Sequence, residues 1–238
     1  MKSIFIDCSL GISGDMLASA LIDLGVPQSI FMDNIANLNI DKNLILEFNE
    51  GYSEGLKGIV CTKNEIQLKD SSRSLKDIKK LLLDSNLNNY VIEKSIRVFE
   101  ILAEAEAIVH GSEISDVHFH ELGSIDSILD IVNVCSGIDN LKPEKIYFSS
   151  PPSGKGTVST SHGPLPVPVP TVLEIARKNK IPLMLVDDKY FGEITTPTGI
   201  ALIATFIDNF GQPSNLNIQN IGIGLGSKNI SRPNFLRI

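Results

Sequence analysis

The chain has 238 residues, of which 42% are hydrophobic and 21% are charged, a composition typical of a globular protein that can bury one substantial core. Its formal net charge of −7 argues against a general nucleic-acid binder and against a protein that binds anionic membranes. The three cysteines lie far apart, so neither a disulfide framework nor a zinc ribbon is predicted. No segment is long and apolar enough to span a bilayer, and we expect a cytoplasmic protein.

The first half of the chain alternates short strands with amphipathic helices. Apolar runs and the 3.6-residue period of apolar side chains define these elements. In chain order, the prediction is a strand at 2–8, helices at 15–24 and 28–38, paired strands at 44–48 and 59–68, and helices at 75–83 and 90–109. The first helix is expected to end at Gly25, because Pro27 blocks its continuation.

The most distinctive segment begins at residue 118. His118, Phe119 and His120 alternate, so an extended backbone directs both imidazoles to one face and the phenyl ring to the other. Glu121 follows directly and adds a carboxylate. A strand or loop end that carries two imidazoles and a carboxylate is a candidate metal-binding segment.

A helix is predicted to begin directly after these histidines. Ser124 is its expected N-cap, and the helix places Asp126 and Asp130 one turn apart. Imidazoles and carboxylates together suit a divalent metal such as zinc, nickel, iron or manganese. The alternative is structural: Asp126 complements the helix dipole, and the histidines are ordinary surface or hydrogen-bonded loop residues.

The second half of the chain continues to mix strands and helices. In chain order, the prediction is a strand at 146–149, a packed proline-rich loop at 151–170, a helix at 171–179, a strand at 183–186, a helix at 199–210 and a strand-like tail at 216–225. The sequence therefore predicts an α/β fold, a mixed sheet flanked by helices with an antiparallel component. Residues 1–238 are expected to form one region, and a division into subdomains at about 1–145 and 146–238 is left open.

A candidate anion site lies near the N-terminus, where the turn at residues 11–15 leads from a strand into a helix. Free amides at the positive end of the helix dipole, together with the Ser13 hydroxyl, suit a phosphate or a carboxylate. Asp7 stands at the carboxyl end of the strand, where sites of α/β sheets gather. The alternative is a plain turn capped by Ser13 or Asp15.

A second hydroxyl-rich turn is Thr195-Thr196-Pro197-Thr198-Gly199, at the start of a predicted helix. It presents hydroxyls and amides at a helix N-terminus, and three threonines in four residues are more than a cap needs. His162 lies in the proline-rich loop, where a lone histidine is more often without a chemical role. No Ser-His-Asp or Cys-His nucleophile set is recognisable.

Five ordered segments carry a family resemblance. They are Phe-x-Asp followed by Gly-Ile-Ser-Gly-Asp-Met (Gly11–Met16), Val117–Ile128, His162–Pro168, Thr196–Gly199 and Arg232–Asn234. In this order and at this spacing they resemble the LarC family, the nickel insertion proteins of nickel-pincer cofactor biosynthesis, which serve lactate racemase and related enzymes. The resemblance covers essentially the whole chain.

The resemblance implies an activity. LarC-like proteins insert nickel into pyridinium-3,5-bisthiocarboxylic acid mononucleotide, forming nickel–carbon and nickel–sulfur bonds in a reaction that depends on CTP and a divalent cation, Mg or Mn. Such an enzyme is a cyclometallase of the lyase class. Imidazoles and carboxylates hold nickel well and can release it to softer sulfur and carbon donors. The phosphate of the substrate suits the glycine-rich helix N-terminus.

Chemistry and position together give three sets of candidate residues. The expected metal ligands, some of them acting by orienting the others, are His118, His120, Glu121, Asp126, Asp130 and His162. The expected substrate contacts are Ser13, Gly14, Thr196, Thr198 and Gly199. The expected catalytic carboxylates are Asp7 and Asp15.

The chain departs from the LarC pattern in two places. Many members carry a histidine-rich stretch where this chain has residues 69–74, which contain no histidine, so nickel storage by that stretch is not expected. LarC-like proteins usually continue into a CTP-associated domain, whereas this chain stops at Ile238. We expect the CTP-dependent step to need that domain, or a second polypeptide, as a partner; the chain alone is expected to be inactive.

Two other functions stay open. One is a non-enzymatic nickel carrier or scaffold that hands the metal to a partner, and the other is a metal-dependent phosphoester hydrolase that activates water. The sequence also leaves open whether the chain assembles into a homo-oligomer.

Overall fold

A computed structural model describes residues 2–40, 44–63, 72–120, 122–160, 163–186, 192–227 and 233–238. Its helices are α1 (Gly14–Asp23), α2 (Gln28–Asn37), α3 (Leu75–Leu83), α4 (Asn89–His110), α5 (Ile125–Leu141), α6 (Pro170–Asn179) and α7 (Pro197–Phe206). Its strands are β1 (Ser3–Ile6), β2 (Leu46–Ser53), β3 (Leu56–Lys63), β4 (Arg73–Ser74), β5 (His118–Phe119), β6 (Lys145–Phe148), β7 (Thr157–Thr160), β8 (Gly163–Pro166), β9 (Asn209–Phe210), β10 (Ile223–Leu225) and β11 (Phe235–Arg237).

Two sheets organise the fold. The first is parallel, with strand order β1-β6-β9. The second has the order β11-β10-β3-β2 and is mixed, because β10 runs parallel to β3 while the other two pairs are antiparallel. The predicted α/β fold with a mixed sheet and an antiparallel component is therefore confirmed. Both sheets pair strands from the first half of the chain with strands from the second half.

Glycines allow α1 to lie directly on the second sheet. A Cβ atom on Gly224 would collide with the main-chain oxygen of Met16, and a Cβ atom on Gly222 would collide with that of Ala20. The backbone of β10 therefore rests on the backbone of α1, which only glycine permits. Helix α1 also packs against α5, so it lies at the centre of the core.

An ion pair joins the end of the first sheet to the second. The main-chain N–H of Asp7 donates to the Arg237 carbonyl oxygen over 2.8 Å. The Arg237 Nε atom donates to Asp7 Oδ2 over 2.8 Å, and the carboxylate also accepts the Ser9 amide. Burial alone would raise the pKa of Asp7, but the hydrogen bonds from Ser9 and Arg237 outweigh it and hold the pKa below its ordinary value.

Most helix predictions agree with the structure to within one or two residues. The predicted N-cap of α5 is also confirmed, because the Ser124 hydroxyl accepts the main-chain N–H of Ser127 over 3.2 Å. The predicted helix at 199–210 is too long. Helix α7 ends at Phe206, since Asp208 turns to exchange hydrogen bonds with the main chain of Ile146 in β6.

Two strand predictions are wrong. Residues 183–186 contribute a single bridge, between Met184 and Pro152, and of residues 216–225 only β10 pairs. An alternating pattern forms a strand only where a neighbouring strand offers an edge for pairing. For β10, pairing with β11 begins at residue 223 and pairing with β3 begins at residue 224. The proline-rich loop contains the β7–β8 hairpin. Residues 64–68 of the predicted strand at 59–68 lie outside the described residues.

Within the described ranges, no helix has the length and hydropathy that a membrane-spanning helix needs.

The close contact of α1 with β10 is testable. We expect Gly224→Ala to lower the free energy of unfolding by about 2 kcal/mol or more, because the new methyl group must push β10 away from α1. Urea unfolding followed by circular dichroism measures this loss. The control is Gly111→Asn. Gly111 ends α4 in the left-handed region and has open space around it, so this substitution should lower the free energy of unfolding by roughly 0.5 kcal/mol or less. Equal losses in the two variants would contradict the contact.

The Asp7–Arg237 pair predicts a pH dependence of stability. Because the folded-state pKa of Asp7 is lowered, its contribution is present above the unfolded-state pKa and is lost as the pH falls through the folded-state pKa. We expect Asp7→Asn to lower the melting temperature by roughly 3 °C at pH 7, with a smaller difference near pH 3.

The matched control is Glu50→Gln, which breaks an exposed ion pair with Lys57. It should change the melting temperature little at either pH. A difference between Asp7→Asn and wild type that stays constant from pH 7 to pH 3 would show that the charge of Asp7 does not stabilise the fold.

Candidate functional site

A cavity of about 240 Å³ lies where helices α1 and α7 begin. Six residues predicted from the sequence line it: Ser13, Gly14, Asp15, Asp130, Thr196 and Thr198. They come from three separate parts of the chain. The structure therefore brings the two hydroxyl-rich turns together with one carboxylate of α5.

A pair of main-chain hydrogen bonds holds the two turns side by side. The N–H of Ile12 donates to the Ile194 carbonyl oxygen over 2.8 Å, and the N–H of Thr196 donates to the Ile12 carbonyl oxygen over 3.1 Å. Gly199 is required here, because a Cβ atom at this position would collide with the Ile12 carbonyl oxygen. The N-termini of both helices consequently point to the same cavity.

The first turn of α1 is not capped by a side chain. The Ser13 hydroxyl instead donates to the Asp15 carboxylate, which also lies 3.5 Å from the Ser227 hydroxyl. Gly14 lets α1 approach α5, since a Cβ atom on Gly14 would lie 2.7 Å from Cβ of Asp130. The positive end of the α1 dipole therefore lies beside two carboxylates.

The three threonines at the start of α7 have different roles. Thr196 is the N-cap, and its hydroxyl accepts the main-chain N–H of Gly199 over 3.1 Å. Thr195 is buried and donates to the Pro152 carbonyl oxygen over 2.7 Å, away from the cavity. Thr198 lines the cavity and is 8% exposed. Capping thus accounts for the Thr196 hydroxyl, and packing accounts for the Thr195 hydroxyl. Neither accounts for the hydroxyl of Thr198.

Lys63 forms an ion pair with the cavity wall. Its ammonium lies 2.6 Å from Asp130 Oδ1 and 3.4 Å from the Asp126 carbonyl oxygen. Burial raises the pKa of Asp130 to about 6, with Lys63 opposing the rise and Asp15 and Asp126 adding to it. Burial acts to lower the pKa of Lys63, but the charge and hydrogen bond of Asp130 raise it above its ordinary value. The pair therefore places a positive charge directly behind a cavity carboxylate.

The two histidines occupy the segment predicted for them. Strand β5 pairs with β4, and Phe119 is buried against Phe99, with ring centroids 6.0 Å apart. His118 and His120 are exposed, so the predicted alternation of faces is confirmed. The Ser74 hydroxyl and amide hold the pKa of Asp77 below its ordinary value, and the nearby charge of His118 adds to this effect.

A glycine turn connects these histidines to α5. A Cβ atom on Gly123 would lie 2.7 Å from the Phe119 carbonyl oxygen, and Arg73 donates to the Gly123 carbonyl oxygen over 2.6 Å. Helix α5 begins at Ile125. Asp126 in its first turn is exposed, and Asp130 lies at the cavity one turn later. One helix thus leads from the histidine segment to the cavity.

The structure describes only some of the predicted metal ligands. Glu121 and His162 lie outside the described residues. Among the residues that are described, no group of three or more His, Cys, Asp or Glu side chains is arranged to hold a metal ion. The ligand set therefore stays a prediction. Asp7, predicted to be catalytic, does not line the cavity and is paired with Arg237 instead.

Sequence reasoning missed four polar or charged residues at the site: Lys63, Glu193, Ser227 and Asn234. The signal for Asn234 was present, since it belongs to the Arg-Pro-Asn segment of the family resemblance. Lys63 gave no signal, because a lysine at the end of an alternating strand is an ordinary surface residue until α5 is placed beside it.

Comparison with known proteins identifies relatives along the whole chain. Residues 4–238 match the family described as nickel insertion protein. The chain is 37% identical over 252 residues to a pyridinium-3,5-bisthiocarboxylic acid mononucleotide nickel insertion protein of Clostridium kluyveri, covering 100% of this chain and 61% of that protein. Proteins of the same name from Staphylococcus epidermidis and Acetivibrio thermocellus are each 37% identical, with 58% and 60% of their lengths covered and 100% of this chain. No solved structure matches the chain.

The chain thus spans about three-fifths of the length of these relatives. The match extends from the first strand to the last and includes both turns of the cavity and the histidine segment. The chain belongs to the nickel insertion protein family, as the LarC-like motifs predict.

Proposed function

We propose that this chain binds pyridinium-3,5-bisthiocarboxylic acid mononucleotide and delivers nickel to it, as part of a CTP-dependent nickel insertase. The observation that carries the proposal is the cavity formed by two helix N-termini, with α5 leading to it from the exposed histidines. The names of the relatives support the choice of substrate and metal.

The cavity is complementary to a substrate that carries both signs of charge. A mononucleotide has a phosphate, for which the positive ends of α1 and α7 and the Thr198 hydroxyl are suitable partners. A pyridinium ring carries a positive charge, which the carboxylates of Asp15 and Asp130 would stabilise at short range. In this proposal Ser13, Gly14, Thr196 and Gly199 shape the phosphate end of the site.

Nickel delivery is assigned to the histidine segment and the first turns of α5. His118 and His120 are exposed and can take up a metal, and Asp126 and Asp130 add oxygen ligands or orient the imidazoles. Imidazoles and carboxylates bind nickel, and the softer thiocarboxylate sulfurs of the substrate are the donors to which, in this proposal, it is transferred. Asp15, at the cavity, is the carboxylate that we propose acts in catalysis.

The use of CTP with Mg or Mn belongs, in this proposal, to the part of the longer relatives that the chain does not cover. The chain described here supplies the mononucleotide cavity and the nickel ligands. Its contribution is therefore best tested by binding of the mononucleotide and of nickel, each measured separately.

Nickel affinity tests the histidine assignment. We expect the double variant His118→Ala/His120→Ala to raise the dissociation constant for Ni²⁺ by about tenfold or more in isothermal titration calorimetry, because two nitrogen ligands are lost. His110→Ala is the matched control, since His110 ends α4 and contacts Glu106 on the same helix, and the variant should bind nickel as wild type does. Equal affinities of the double variant and wild type would remove the histidines from the proposal.

Substrate affinity tests the cavity. We expect Thr198→Val, which keeps the side-chain shape but removes the hydroxyl, to raise the dissociation constant for the mononucleotide by about tenfold through the loss of one hydrogen bond to a charged group. Thr205→Val on the same helix is the control, because its hydroxyl donates to the Ala201 carbonyl oxygen within α7. If both variants bind the mononucleotide as wild type does, the phosphate does not lie at the start of α7.

A further inference from the structure

Among the described residues, one face of the parallel sheet β1-β6-β9 is fully buried, and the other, here called the uncovered face, is partly exposed. Ile6 and Phe148 are fully buried on the core face. On the opposite face, Phe5, Lys145 and Tyr147 remain partly exposed. All-parallel sheets are normally covered on both faces, because their strands are apolar on both sides. Within the described ranges, this sheet is therefore without a complete layer on its second face.

The uncovered face is the floor of a large groove. The groove has a volume of about 1310 Å³, and the aromatic side chains of Phe5, Tyr147 and Phe210 line it. The chain segment 212–221 forms its other wall. Apolar side chains on this wall are also left in solvent: Leu216 is 48% exposed and Ile218 is 67% exposed. Apolar surface that is exposed on both sides of one groove indicates a binding partner.

A second copy of the chain is a poor partner for this groove. A two-fold symmetric contact joins the same surface patch of both subunits, so a concave face would have to meet a concave face. Two concave floors that face each other across a two-fold axis would leave an empty volume between them. The partner must instead present a convex surface, with apolar side chains for the aromatic floor and polar groups for the asparagine, glutamine and serine side chains of the wall.

The relatives of this chain possess additional polypeptide outside the region that matches it. About two-fifths of the Clostridium kluyveri protein lies outside its match to this chain. The groove also includes Ile238, which exchanges main-chain hydrogen bonds with Gly222 over 2.8 and 3.0 Å. A polypeptide joined to Ile238 would thus begin within the groove.

We propose that the uncovered face of β1-β6-β9, together with segment 212–221, is the docking surface for the part of nickel insertion proteins that lies outside the matched region. The docked part supplies the missing layer over Phe5 and Tyr147. This contact lies on a different surface from the substrate cavity, since the two share no lining residue among those the structure describes.

The test uses this chain and, as a separate polypeptide, the unmatched region of the Clostridium kluyveri protein. We expect the two to form a one-to-one complex in calorimetric titration. Hydrogen exchange should become slower in β1, β6 and segment 212–221 when the complex forms. Tyr147→Glu places a charge on the floor of the groove and should raise the dissociation constant by about tenfold or more.

Two further variants make the result decisive. Ile218→Glu, in the irregular wall segment, should also weaken the complex, and it decides the question if Tyr147→Glu does not fold. Leu185→Glu is the matched control: Leu185 is 89% exposed outside the groove, and the variant should bind as wild type does. Nickel affinity should be unchanged in all three, which separates this proposal from the proposed function.

Three results would overturn the proposal. The first is the absence of any complex with the unmatched region. The second is an affinity that neither Tyr147→Glu nor Ile218→Glu alters. The third is a dimer of this chain that Tyr147→Glu dissociates, because the occupant of the groove would then be a second copy.

Discussion

Helix α1 reaches its place only because glycines stand where it meets its neighbours. Gly224 allows the backbone of β10 to lie on the backbone of α1, and Gly14 allows the start of the helix to approach Asp130 on α5. This double contact fixes the direction of the helix and hence the position of its N-terminus. The cavity, its carboxylates and the alignment with α7 all depend on this placement, because each of them is built around the first turn of α1.

Charged groups of both signs lie close together at the cavity. Asp130 shares a small, partly enclosed volume with Asp15, and burial together with the neighbouring carboxylates raises the pKa of Asp130. The ammonium of Lys63 opposes this rise, and the positive ends of two helix dipoles lie nearby. In the function that we propose, this arrangement favours a ligand with separated positive and negative groups.

Local chemistry explains which features the sequence could predict. The N-cap Ser124 and the alternation of His118, Phe119 and His120 depend on neighbouring residues, and both agree with the structure. The convergence of Ser13 with Thr196 could not be predicted in the same way, because it depends on a main-chain contact between residues 12 and 194. The role of Lys63 likewise depends on a distant helix.

Short strands are a second feature that the sequence could not predict. Strands β9 and β11 have two and three residues, too few to show a period, and they exist because a neighbouring strand offers an edge. The alternating segment before β10 shows the converse, since it has the pattern but no edge with which to pair. Asp7 was correctly placed at a strand end, yet its partner Arg237 belongs to the last strand of the chain.

The walls of the cavity come from residues 13, 130, 196 and 234, which span nearly the whole sequence. During synthesis, the histidines leave the ribosome long before the last wall residues exist. Loop closure over such separations is slow and comes late in folding. The segment that carries His118 and His120 is therefore synthesised well before the last wall of the cavity, and a partly made chain possesses the first without the second.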